Sequence, residues 1–180
     1  AWNWIGVQGN HETCFNYYFK KDLELIQLYR EKFGSSLDMV LGQLSQKQIS
    51  IIKALKDTKE LVLGNKRILL VHGSPWSQNE YIYKDSSPYI WRKIESLPYD
   101  YLISGHTHYP FIKHLNNITV LNPGSIGQPR DYGSLASWIE ADFNKNLAQI
   151  YRVKFDPKKI IAEINEYDPQ KHYLAEVLTR

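Results

Sequence analysis

The chain has 180 residues, 43% hydrophobic and 23% charged, with a formal net charge of +3, which suits one soluble globular domain with a sizeable core. No apolar run approaches the roughly 18 residues of a membrane-crossing helix, and no basic-then-apolar secretory signal opens the chain, so a membrane partner is not expected. The mild charge admits an anionic substrate, but no basic stripe interleaved with aromatics is present, so nucleic acid is not specifically indicated.

The chain starts at Ala1 and is almost at once inside "WNWIGVQ", which reads as a core strand from Trp2 to Gln8 ending at Gly9. A domain seldom begins in its own core, so a piece of a longer protein is the expectation. Lys20 to Phe33 reads as a helix with a broad apolar face, stopped by Gly34. Ser45 and Gln48 make a capping box before Ile49, Ile52 and Leu55, which recur at helical spacing. "ELVLGNKRILLVHG" reads as two strands turning at Gly64-Asn65, and "ILLV" as buried on both faces. "SSPYIWRKIESL" is a second helix region. "YDYLISGHTH" repeats the pattern of a strand followed by Gly-His. "FIKHLNNITVLNPGS" is a hairpin at Asn116-Asn117, and "SWIEADFNKNLAQIYRVKF" another at Asn144 to Asn146. A last helix runs from Pro157 to about Asn165. The layout is mixed α/β with two packed sheets, in a single domain over 1–180 whose residues 157–180 form a C-terminal helical extension.

Of six histidines, four share one context. His11, His72, His106 and His108 each follow an apolar strand and sit beside glycine. In α/β sheets the loops at the carboxyl ends of strands bind ligands, and glycine there allows close backbone approach. A single buried histidine is more often a hydrogen-bonded core residue; four in one context are harder to assign to chance. His114 and His172 lack the context and read as surface or structural. Neutral imidazole suits zinc, iron, nickel or manganese, and the Asn10 oxygen is a harder ligand. Cys14 alone cannot make a thiolate site or an intramolecular disulfide; it reads as a small half-buried residue and fits a reducing, cytoplasmic setting.

On these residues the sequence resembles the calcineurin-like metallophosphoesterases, in particular the small bacterial and archaeal branch. The pieces "GNHE", "HGSPWSQNEY", "SGHTHYP", "NPGSIGQPRD" and "ASWIEAD" occur in the family order from Gly9 to about Tyr151. The resemblance implies a four-layer α/β/β/α sandwich of two mixed sheets, here N-terminally incomplete, with a two-metal site at the strand ends. It implies Asn10, His72 and His106 as ligands of one divalent ion (manganese, iron, zinc, nickel or cobalt) and His108 as ligand of the other. It implies His11 as proton donor beside the phosphate and a metal-activated water as nucleophile, and Arg130 is a reasonable phosphate contact. Arg130 reads equally well as the partner of Asp131 in a surface ion pair. The substrate would be a phosphorylated small molecule or a phosphodiester, with Ser74 to Tyr89 as pocket wall or an ordinary packed connection.

Two earlier family motifs, Asp-x-His and Gly-Asp-x-x-Asp, have no match here. The implied first ion would keep only His108, and the second would lose its bridging carboxylate. The expectation is a chain that alone binds one metal weakly and hydrolyses poorly, with an oligomer or a complementing N-terminal segment as partner. Two rival readings are a non-catalytic scaffold on the same fold and a mononuclear zinc protein using His72, His106 and His108.

Overall fold

A computed structural model describes residues 3–180. Four helices come first: α1 (Asn10–Phe19), α2 (Leu23–Phe33), α3 (Ser36–Gln43) and α4 (Gln46–Ala54). They bury Phe15, Tyr29 and Leu37 together, with Cys14, Phe33 and Ile52 packed alongside. Local chemistry sets their ends. The Asp22 carboxylate accepts from the Leu25 N–H at 3.1 Å, satisfying a donor that the first turn of α2 leaves open. Gly34 closes α2 at φ 79, a backbone state that only glycine adopts freely. The Ser45–Gln48 capping box opens α4 as expected.

The central sheet has the order β1-β2-β3-β5-β4, from β1 (Thr58–Leu63), β2 (Lys66–Val71), β3 (Tyr101–Ile103), β4 (Phe111–His114) and β5 (Thr119–Asn122). The inner strands β2, β3 and β5 are parallel, and β1 and β4 pair antiparallel at the edges. Strand side chains alternate faces, which divides the core. Leu69, Val71, Leu102 and Val120 face Trp91 and Ile94 of α5 (Pro88–Glu95). Ile68, Tyr101 and Leu121 face Ile139, Ala141 and Ala148 of a second, antiparallel sheet, made of β6 (Leu135–Asp142) and β7 (Leu147–Lys154). Strand β2 is thus buried on both sides, as its unbroken apolar run predicts. Each fully buried aliphatic chain there, such as Leu102, contributes about 1.5–3 kcal/mol. The chain ends in α6 (Lys158–Tyr167) and α7 (His172–Glu176).

The mixed α/β class with two packed sheets is as expected, and all three hairpins fall where their turns predict. Three expectations change. The opening strand is not formed: Ala1 and Trp2 lie outside the described residues, and residues 3–9 belong to no strand. A strand needs a neighbour, and among the described residues the one backbone bond from residues 3–8 to the rest is Gln8 N–H to the Lys56 carbonyl, 2.8 Å. The helix expected over Lys20 to Phe33 starts at Leu23, because Asp22 caps it and Lys21 takes φ 56. Helices α1, α3 and α7 add to those expected, and α6 runs two residues further, to Tyr167. Among the described residues no helix is long and apolar enough to cross a membrane.

Candidate functional site

Parallel pairing of β2 with β3 and β3 with β5 delivers His72, the "SGHTH" loop and Asn122 to one edge of the sheet. The Gly105 N–H donates to the His72 carbonyl at 2.7 Å. The Ser104 hydroxyl donates to the Gly73 carbonyl at 2.6 Å. Beyond them His106 and His108 both take φ 62, a left-handed backbone that costs roughly 1–2 kcal/mol for a residue with a Cβ. Asn122 holds that turn. Fully buried, it donates to the Gly105 carbonyl (2.9 Å) and Thr107 Oγ1 (3.0 Å) and accepts from the Gly124 N–H (2.9 Å). Strain of this kind persists where the surroundings over-determine it, as they do at binding sites.

From the other side comes the start of α1. The Glu12 carboxylate accepts from the Gly9 N–H at 2.9 Å, which closes the first turn and sets Asn10 as its opening residue. A Cβ on Gly9 would meet the His72 ring at 3.0 Å, so glycine is what lets this turn lie against the imidazole. Asn10 Oδ1 then sits 2.7 Å from His72 Nε2, and His106 Nδ1 sits 3.0 Å from the same nitrogen. One proton on His72 Nε2 can serve one of these contacts at a time. Two adjacent donors on an ion at about 2.0–2.1 Å stand at similar separations, so the three atoms fit part of one ion's ligand set.

Electrostatics favours the ligating form. Burial pushes the His72 imidazole down to about 4, and its histidine neighbours add to that. Burial also lowers His106, His108 and His11. Neutral imidazole is the form that coordinates a metal. Tyr81 stacks on the His106 ring at 4.1 Å, so the Ser74–Tyr89 segment does adjoin the cluster. His106 Nε2 is buried without a hydrogen-bond partner; the nearby Asn79 backbone favours the charged ring a little but lies outside bonding geometry.

His108 stands apart. Its Nδ1 contacts the Gln128 carbonyl at 2.7 Å; donating there fixes the tautomer that leaves Nε2 with its lone pair. Among the described residues no three His, Cys, Asp or Glu side chains gather around a common point, so His72, His106 and His108 do not form a three-histidine zinc set. His11 lies in the first turn of α1, with Nδ1 3.0 Å from the Tyr29 hydroxyl and its ring edge-on to Phe33 at 5.0 Å. Its ring retains a solvent-facing side, yet the two aromatics desolvate it. Arg130 lines a cleft with His11 and Gln128. The expected Arg130–Asp131 ion pair is not formed: Asp131 pairs with Arg152, and Arg130 makes no ion pair among the described residues. Sequence reasoning missed Asn122. Asn122 lies in "NPGS", which carried the resemblance without a role attached.

Residues 2–143 match the calcineurin-like phosphoesterase superfamily domain. The chain belongs to that superfamily. As a calcineurin-like phosphoesterase it is 25% identical to an uncharacterised protein of Methanocaldococcus jannaschii, over 90% of this chain and 70% of that one. It is 36% identical to a probable metallophosphoesterase of Methanothermobacter thermautotrophicus, over 48% of this chain and 46% of the relative, so it spans about half that relative's length. Among solved structures, a hypothetical protein of Pyrococcus horikoshii superposes with a TM-score of 0.67 at 21% identity, covering 82% of this chain and 59% of that one. A metallophosphoesterase of Sphaerobacter thermophilus superposes with a TM-score of 0.58 at 22% identity, covering 72% and 61%. At these identities the superpositions bear on the fold alone, and both carry the same fold as this calcineurin-like phosphoesterase.

Proposed function

We propose that this chain carries part of a metal-dependent phosphoester hydrolase site. Asn10, His72 and His106 would hold one divalent ion, His108 would contribute to a second, and Arg130 would bind a phosphate oxygen. The convergence of Asn10 Oδ1, His72 Nε2 and His106 Nδ1 within 3.0 Å carries this reading. Bound divalent ions would supply charge neutralisation on the phosphate oxygens and a lowered pKa for water. The chain's own residues do the rest. Asn122 and Gly105 hold the histidine loop in place. Burial keeps the imidazoles neutral and ready to bind. His11, with Nδ1 accepting from the Tyr29 hydroxyl, would keep its proton on Nε2 and offer it as a hydrogen bond to the phosphate or ester oxygen. Arg130 offers a charged fork matched to two phosphate oxygens.

The three converging donors are all neutral and include no carboxylate. Attraction for a cation therefore comes from dipoles alone, and the purified chain should bind manganese weakly and turn over slowly. The test is manganese titration by calorimetry together with hydrolysis of bis(p-nitrophenyl) phosphate. The expected result is a single weak site, and slow turnover that disappears in His72→Ala. Manganese binding unchanged in His72→Ala would overturn the ligand assignment. Fast metal-dependent turnover by this chain would overturn the weakness.

A further inference from the structure

Helices α6 and α7 do not trail away from the fold. The Asp168 carboxylate accepts from the Ser35 N–H (2.9 Å) and the Ser35 hydroxyl (2.8 Å). The Tyr173 hydroxyl donates to the Lys32 carbonyl at 3.0 Å. The Gly133 N–H donates to the Arg180 carbonyl at 2.8 Å. These bonds fasten the last helices across the α2–α3 turn on one side and the start of β6 on the other. Between them lies a cleft of about 330 Å³.

The lining of the cleft mixes two chemistries. His11, Gln128 and Arg130 supply an imidazole, an amide and a cation. Phe33, Met39, Ile160, Ile164 and Tyr173 supply apolar and aromatic wall, and the carboxylates of Glu163 and of Asp168, the latter held by Ser35, also line it. We propose that this cleft is the subsite for the alcohol half of the substrate. It selects small phosphoesters whose alcohol is flat and largely apolar, such as an aryl group. The proposal rests on the phosphoester reading above and adds the substrate class. Charge complementarity fixes the orientation, with phosphate at Arg130 and the ring among the aromatic and aliphatic walls. The volume stands at the lower end of the roughly 300–1,000 Å³ of small-molecule sites, room for one ring system and not for a polymer. The helical extension would then be a specificity element, since α6 and α7 supply Ile160, Ile164 and Tyr173.

The experiment is calorimetric titration of the purified chain, with manganese chloride present, by inorganic phosphate, methylphosphonate and phenylphosphonate, which resist hydrolysis. Phenylphosphonate should bind roughly tenfold or more tightly than methylphosphonate, the gain from burying the ring. Met39→Asp and Ile160→Asp change residues that are 38% and 41% exposed, so the fold should tolerate both. Either should bring the two phosphonates to within about threefold of each other. Equal binding of the two phosphonates to the unaltered chain would overturn the subsite alone. So would a phenyl preference that survives both substitutions. Failure of inorganic phosphate itself to bind would overturn the phosphoester reading and this subsite with it.

Discussion

At the scale of the residue, the site depends on a side chain that ligates nothing. Asn122 satisfies the Gly105 carbonyl and Thr107 Oγ1 and is itself fully buried. Asn122→Leu keeps the branching and heavy-atom count of the side chain and removes both donors and the acceptor. The Gly105 carbonyl then keeps only the Thr107 N–H, the buried Thr107 Oγ1 loses its donor, and two left-handed histidines lose what holds them. The expected loss is about 2–4 kcal/mol of stability, read from the shift of the urea midpoint. Manganese affinity should fall in the same variant, because His106 is no longer aimed at His72. The placing of His72, His106 and His108 beyond strand ends was legible in sequence because local pattern marks it: apolar strand, glycine, imidazole. Asn122 was not, because its role lies in hydrogen bonds to a loop about 15 residues earlier that no local pattern encodes.

At the scale of the element, hairpins were legible and the two ends of the chain less so. Gly64-Asn65 can take the backbone a tight turn requires, and the flanking strands then pair with each other. The segment from Asn3 to Gln8 has strand chemistry but no adjoining strand, and Trp4 and Ile5 remain 62% and 53% exposed. Pairing is non-local, so residue type alone cannot supply it. Helix α1 escaped notice for the opposite reason. Phe15 is its one buried residue, too little apolar stripe to show a helical period. Helix α6 was legible as a helix, but its docking was not, since it depends on Asp168 meeting Ser35 133 residues earlier. Asp168→Ala leaves the Ser35 N–H without its partner and the Ser35 hydroxyl with only the Met39 sulfur, and should cost roughly 1–3 kcal/mol. Limited trypsin digestion should cut beyond Lys158 faster in this variant while the central sheet stays intact. An unchanged digestion pattern would show that the contacts near the start of β6, such as Gly133 N–H to the Arg180 carbonyl, hold the extension without Asp168.

At the scale of the whole molecule, the buried imidazoles tie stability to pH. An ordinary histidine in the unfolded chain has a pKa of 6.5, and His72 in the fold lies near 4. Above pH 6.5 both states leave His72 neutral, and its environment carries no penalty. As pH falls from 6.5 towards 4, the unfolded chain takes up a proton that the fold refuses, so stability declines through that window. Below about 4 the fold takes the proton as well and His72 contributes no further decline. His72 alone should account for on the order of 2 kcal/mol after allowance for solvent screening. His11, His106 and His108 are lowered in the same direction and steepen the slope. The melting temperature should therefore drop between pH 7 and pH 5, and His72→Gln should remove a large share of that drop. Added manganese should raise the melting temperature at pH 7.5 and do little at pH 5, because protons compete for the same nitrogens. A melting temperature flat from pH 7 to pH 5 would mean that the cluster is not held neutral. A manganese effect indifferent to pH would mean that the ion sits elsewhere than on the imidazoles.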